Sequence, residues 1–301
     1  MYFTNERLGR HAKDPAVVRF KGKYYLYYTV RYTDVNKIGV GIASSDDLDS
    51  WTDLGELPIT EECEKVGIGA PGAVVIGDRL HLFYQTYGDF RTNAICHAWS
   101  ENGTDFEKDK ANPIFRPSDD WCCGRAIDAD LCMFNGKLYM YFATRDHAMR
   151  IQKVGGAVAS PDSDLSAGSF SQISNQALLS PELVWEGECI EAPATVVNNG
   201  RMFMFYGGSY NCTPQQIGVA VSDDGKFFRR IFAEPFIRCG KEGSWNSSES
   251  GHPYAFRDDD GKVYLFYQGS SDKGKTWYLT KCLIDFDKDN IPYVVKYDIE
   301  P

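Results

Sequence analysis

Four ionisable residues, Asp14, Asp128, Glu191 and His252, recur at matching points of a repeated pattern. Asp14 and Asp128 each lie eight residues before a glycine, Gly22 and Gly136, while Glu191 and His252 lie nine before Gly200 and Gly261. A fifth copy places the Pro71-Gly72 pair at this point, ahead of Gly77. Carboxylates brought together repel and raise one another's pKa, so gathering them costs stability and speaks for function. Such a set can move protons in both directions. One carboxylic acid protonates a leaving oxygen while a carboxylate activates water or attacks carbon, which is what glycoside hydrolysis requires. Taken singly, each acid could equally be a solvated loop residue; common phase singles out three of the 42 acidic residues. Asp130, two residues beyond Asp128, shares its strand face and competes with it. Phase with Asp14 favours Asp128.

The pattern that positions these residues is an apolar run, a tight turn with glycine, and an aromatic-rich run. Its copies span residues 14–29, 71–84, 128–142, 191–206 and 252–267. Each reads as a β-hairpin turned at Gly22, Gly77, Gly136, Gly200 or Gly261. A second half follows, with a small-residue strand, a Ser/Asp/Gly turn and an aromatic, at residues 38–51, 94–106, 154–170, 217–228 and, less completely, 277–283. Four strands in each of five repeats predict an all-β, five-bladed β-propeller with four-stranded antiparallel blades around a central channel. Residues 1–301 read as a single catalytic domain, since no linker separates the copies. The first strand of each blade would line the channel, placing its opening residue at one mouth.

Composition agrees: 43% of residues are hydrophobic, 14% are aromatic and the net charge is -10. Aromatic-rich stretches favour strands, and an acidic chain repels phosphate backbones, so nucleic acid is not expected as a partner. Nine cysteines without a CxxC spacing suit free thiols in a reducing compartment and argue against a zinc site. No run of 18 apolar residues occurs, so no membrane association is expected, and residues 1–5 do not resemble a signal peptide. The expected location is cytoplasmic, or periplasmic or secreted if a leader is removed. Oligomeric state is not legible.

These residues resemble glycoside hydrolase family 43 over nearly the whole chain. The resemblance rests on Asp14-Pro15 with the hairpin at residues 22–26, Ile127-Asp128, Glu191-Ala192-Pro193, and Gly251-His252. The Ser-Asp-Asp-Leu segment leading to Trp51 is similar to this clan as well. The resemblance implies Asp14 as general base, Glu191 as general acid with a raised pKa, and Asp128 as the residue that orients Glu191 and tunes it. It implies inversion at the anomeric carbon. His252 would sit on the axis, near a calcium or other cation held through water, which would be optional; no cofactor is required. The blade-2 tryptophan of many members is replaced by Gly69 ahead of Ala70-Pro71. Trp121 and Trp245 could supply a stacking face, or could equally be core residues. Arg145, and Arg10 with His11, could reach sugar hydroxyls or form surface ion pairs.

The resemblance implies an oligosaccharide or polysaccharide-derived substrate. The expectation is an exo-acting α-L-arabinofuranosidase or β-xylosidase. Alternatives are a glycoside phosphorylase, for which no basic cluster beside the acids is evident, a galactan- or anhydrogalactose-directed relative, and a non-catalytic sugar-binding propeller.

Overall fold

The computed structural model describes residues 1–32 and 37–301. Five four-stranded antiparallel sheets form in strict chain order. Blade 1 contains β1 (Lys13–Phe20), β2 (Lys23–Tyr32), β3 (Lys37–Ser45) and β4 (Thr52–Glu56), and blade 2 contains β5 (Ile68–Ile76), β6 (Arg79–Thr86), β7 (Ile95–Ser100) and β8 (Phe106–Lys108). Blade 3 contains β9 (Ile127–Phe134), β10 (Lys137–Arg145), β11 (Gln152–Ala159) and β12 (Ser171–Gln172). Blade 4 contains β13 (Ile190–Asn198), β14 (Arg201–Gly208), β15 (Gln216–Ser222) and β16 (Arg229–Arg230), and blade 5 contains β17 (Glu249–Arg257), β18 (Val263–Ser270), β19 (Tyr278–Phe286) and β20 (Pro292–Tyr297). The helical elements among the described residues are three short 3-10 turns. The expected five-bladed propeller is therefore the observed fold.

The repeated turns have a simple cause. Gly22, Gly77, Gly136, Gly200 and Gly261 all have φ between 57° and 86°. Lys21, Asn135 and Asn199 precede three of them, also in the left-handed region, as the two central residues of a type I′ hairpin must be. In the second hairpin a serine hydroxyl and a following Asp or Asn carry the turn. Ser45 Oγ accepts from Asp47 N–H and Leu48 N–H, and Asp47 Oδ1 accepts from Asp49 N–H and Ser50 N–H. The same bonding recurs at Ser100/Asn102, Ser222/Asp224 and Ser270/Asp272, so side-chain acceptors replace missing backbone partners.

The second strand of each blade fills the core. Tyr27, Tyr84, Tyr141, Tyr206 and Tyr267 are fully buried. Two of their hydroxyls tie neighbouring blades: Tyr27 donates to the Gly103 carbonyl and Tyr141 to the Gly225 carbonyl, both at 2.8 Å. The ring closes without a strand exchanged between its ends. Residues 1–12 run along blade 5 instead, where Phe3 and Leu279 exchange backbone hydrogen bonds of 2.9 and 2.7 Å.

The innermost strands β1, β5, β9, β13 and β17 all kink at one point. Pairing slips beside Asp14, Ala70, Asp128, Ala192 and His252, and these five residues have φ of 50°, 42°, 55°, 49° and 42°. Pro15, Pro71, Pro193 and Pro253 follow four of them. Proline has no N–H to donate and is tolerated in strands at edges and bulges. Each left-handed non-glycine costs about 1–3 kcal/mol and persists where its surroundings over-determine it. Here the surroundings are side chains from the preceding blade. Gln268 Oε1 accepts from Asp14 N–H at 2.9 Å, Thr29 Oγ1 from Ala70 N–H at 2.7 Å, and Gln85 Oε1 from Asp128 N–H at 2.9 Å. Gly207 stands at the equivalent place in blade 4, leaving room for Gln215, whose Oε1 accepts from His252 N–H at 3.1 Å. For Ala192 N–H the acceptor is Asp128 Oδ2, at 3.4 Å.

Candidate active site

The kinks aim side chains into a pocket at the channel mouth, lined by Asp14, Asp128, Asp130, His252, Tyr254 and the prolines that follow the kinks. The structure corrects the assumed phase at one point. Ala192, not Glu191, is the kinked residue of blade 4. Glu191 stands one position earlier, in register with Lys13, Gly69, Ile127 and Gly251. It still reaches the site, because Gln215 and Gln152 hold it from outside the pocket.

His252 links the two ends of the site. Its Nδ1 lies 2.8 Å from Asp14 Oδ1 and its Nε2 lies 3.1 Å from Glu191 Oε1. Gln215 Nε2 donates to Glu191 Oε1 at 2.7 Å, and Gln152 Nε2 donates to Glu191 Oε2. Gln152 is in turn fixed by Arg145 Nε at 2.7 Å and Arg125 Nη1 at 3.2 Å, both donating to its Oε1. Lys13 Nζ lies 3.7 Å from Asp14 Oδ1. The imidazole thus stands between the two carboxylates and contacts both.

Burial and charge divide the three acids. Burial works to raise the Asp14 pKa, but the charges of Lys13 and His252 outweigh it and hold this carboxyl well below its ordinary range. Burial likewise works to raise Glu191, and hydrogen bonding and charge from His252, then Gln215, bring it below its usual value. Asp128 goes the other way. Burial, with the nearby negative charges of Glu191 and Asp14, pushes it up to about 7 against His252 and Arg125. The raised pKa expected at Glu191 thus falls on Asp128. His252 remains protonated well above its ordinary pKa: burial opposes the charge, but Asp14 and Glu191 favour it.

Asp130 also lines the pocket, as strand spacing requires. Its Oδ2 accepts from Thr195 N–H at 2.9 Å and from the Thr195 hydroxyl, and burial raises it to about 7. It is bonded to the wall of the channel, whereas Asp128 belongs to the cluster with Glu191 and His252.

The other expected contacts divide. Arg145 reaches the site through Gln152 and lies over the Tyr210 ring, 5.1 Å from its centroid. Arg10 does not line the pocket; it points outward and pairs with Glu6 at 2.9 Å. His11 lies beside Leu8, Gly9 and Arg31 in a separate depression. Trp121 packs over Gly155 and Phe142, and Trp245 packs over Gly269 and Tyr267 while its indole N–H donates to the Glu300 carbonyl. Both tryptophans pack against their own blades, and neither lines this pocket. The groups missed in the sequence are Lys13, Arg125, Gln152 and Gln215, with Gln85 and Gln268 behind the kinks. The recurring Phe-Tyr-Gln at residues 83–85 and 266–268 was a usable signal for the last two.

Asp128, Glu191 and His252 bring one ligand atom each within 4.8 Å of one another. They do not fit a directly bound calcium, which takes six to eight oxygens, because both His252 nitrogens are already engaged by carboxylates. A cation held through water at His252 would have to displace one of those contacts.

Buried acids on either side of an imidazole at the axis of a five-bladed propeller form a site suited to acid–base chemistry. Residues 4–284 match the model of glycosyl hydrolases family 43, and the chain belongs to this family of glycoside hydrolases. Among solved structures it is similar to a thermostable family-43 glycoside hydrolase (20% identity, 99% of this chain and 98% of that one, TM-score 0.77). It is similar to an endo-1,4-beta-xylanase from Bacteroides thetaiotaomicron (22% identity, 96% of both chains, TM-score 0.76). It also resembles an exo-1,5-alpha-L-arabinanase from a bovine ruminal metagenomic library (18% identity, 98% and 100% covered, TM-score 0.72).

Proposed function

We propose that the protein is an inverting, exo-acting glycosidase that releases pentose-type units, as an α-L-arabinofuranosidase or a β-xylosidase. The observation that carries the mechanism is the His252 imidazole between Asp14 and Glu191. Asp14, held ionised, takes a proton from water as that water attacks the anomeric carbon. The glycosidic C–O bond breaks, and the leaving oxygen receives a proton from Glu191. Asp128, which holds the proton in the free site, supplies it to Glu191. The pentose assignment draws on neighbours whose names specify xylan and arabinan.

The test is a panel of nitrophenyl glycosides with the product followed by proton NMR. The first anomer released should be inverted, and a retained anomer sinks the mechanism. Asp14→Asn and Glu191→Gln should each lower kcat by about 10²–10⁴ without loss of fold. End-labelled arabino- and xylo-oligosaccharides should yield monosaccharide alone; internal cleavage products would refute exo action.

A further inference from the structure

One position recurs at the start of the third strand. Its carbonyl accepts a backbone N–H from the next blade: Asn93 from Ala126 at 3.0 Å, Gln215 from Ser250 at 3.0 Å, and Trp277 from Ala12 at 3.3 Å. Gln152 takes the same place beside Cys189. In blades 3 and 4 this residue is the glutamine whose amide holds Glu191. In blade 2 it is Asn93, only 1% exposed, and neither its Oδ1 nor its Nδ2 has a partner among the described residues.

Arg125, adjacent to Ala126, carries a second orphan. It is 5% exposed, and its Nε has no partner among the described residues. Its Nη1 shares the single oxygen Gln152 Oε1 with Arg145. A neutral amide oxygen cannot neutralise two guanidinium charges. Burial, and then repulsion from Arg145, lowers the Arg125 pKa. Lys13 and His252 are paired with Asp14 and Glu191, so the positive groups that share only an amide oxygen are Arg125 and Arg145. Phe90, on the loop that carries Asn93, is 55% exposed, and its ring centroid lies 6.0 Å from the Arg125 guanidinium.

Buried polar groups are almost always partnered. Two that are not, joined through one backbone hydrogen bond and adjoining the acids, mark a place that a ligand completes. We propose that Asn93 and Arg125 form a subsite for an oxyanion of the substrate, a sugar carboxylate or a sugar phosphate, with Phe90 at its edge. The inference rests on the glycosidase reading and names its substrate class. Guanidinium forks grip oxyanions through two parallel N–H bonds, and the asparagine amide adds a donor. A carboxylate source makes the substrate a uronoside. A phosphate source makes the substrate a phosphorylated glycoside.

Calorimetric titration of the intact protein with glucuronate, inorganic phosphate and xylose tests this without turnover. One of the two anions should bind more tightly than xylose. Its affinity should fall about 10- to 100-fold in Arg125→Gln and measurably in Asn93→Ala, in each case by more than the affinity for xylose falls. Arg125→Lys, which keeps the charge but loses the fork, should recover only part. Glucuronate binding assigns the site to a sugar carboxylate; phosphate binding assigns it to a sugar phosphate. Equal binding of xylose and the anions, no anion binding, or variants that bind as the wild type does would overturn the proposal. If Arg125→Gln fails to fold by circular dichroism, Asn93→Ala and the wild-type selectivity decide. An active hydrolase indifferent to anions refutes this subsite alone, whereas an anion-binding protein without glycosidase activity refutes the catalytic reading.

Discussion

At the scale of residues, the division of labour follows from where charge is compensated. Asp14 has Lys13 and His252 beside it, and Glu191 has His252 and two amides, so both are stabilised as anions. Asp128 is buried among those anions and keeps its proton up to about 7. The proposed mechanism needs that proton, so kcat/KM should fall as pH rises through about 7, while the low-pH limb set by Asp14 lies far lower. A rate profile from pH 4 to 9 checks this, and Asp128→Asn should abolish the alkaline limb at a reduced rate. An unchanged limb in that variant would assign the proton elsewhere. Asp130 offers a separate prediction about stability. Its folded pKa is raised to about 7 from 3.8, so the native state binds more protons than the unfolded state between those values. Stability is then fully present below the lower pKa and declines as pH rises towards 7. Asp130→Asn should flatten the decline in Tm from pH 4 to 7, and an equally steep decline would refute the assignment.

At the scale of elements, the kink in each inner strand converts a strand edge into a site. A regular strand alternates its side chains; the bulge re-aims one of them, here toward the axis. The acceptor from the preceding blade makes the kink affordable. Gln85→Ala should leave the Asp128 N–H buried without a partner, at a cost of about 1–3 kcal/mol measurable by urea unfolding, and should lower kcat as well. Full stability in that variant would show that the kink needs no support. A second device anchors the blades from outside. Glu186, fully buried, accepts from the Tyr206 hydroxyl at 2.7 Å and from two Arg230 nitrogens at 2.7 Å. Glu64, Tyr84 and Lys108 repeat it in blade 2. Glu186→Ala leaves Arg230 its bonds to Glu182 and the Ser180 carbonyl but takes the acceptor from the buried Tyr206 hydroxyl, and should cost about 1–3 kcal/mol, with little effect on KM. Hairpins, turn glycines and serine turns were all legible beforehand, because each is a local rule written in a few neighbouring residues. The kinks were not, since their acceptors lie tens to hundreds of residues away, as Gln268 does from Asp14.

At the scale of the whole molecule, closing five blades puts groups from every blade at one mouth. Residues 1–12 lie along blade 5, while β1 also packs directly on β17. Removing residues 1–5 deletes the paired bonds between Phe3 and Leu279 and should lower Tm by several degrees; an unchanged melting curve would show that contacts between β1 and β17 suffice. Charge has meaning only at this scale. The chain is acidic overall, yet Lys13, Arg125, Arg145 and His252 converge on the site, a basic cluster that inspection of neighbouring residues did not disclose.

The repeat alone determined the five blades, the hairpin turns and Asp14, Asp128 and His252 as one set, because phase is a property of the linear chain; it reached Glu191 only within one residue. Only the tertiary structure decided which acid carries the proton, that Glu191 sits one place before its blade's kink, and that Trp121, Trp245 and Arg10 lie away from the pocket. The physical reason is that pKa and contact depend on groups from other blades. His252, Gln215, Gln152 and Arg125 lie between 24 and 66 residues from Glu191 in sequence; folding brings them to its carboxylate or to the amide that holds it.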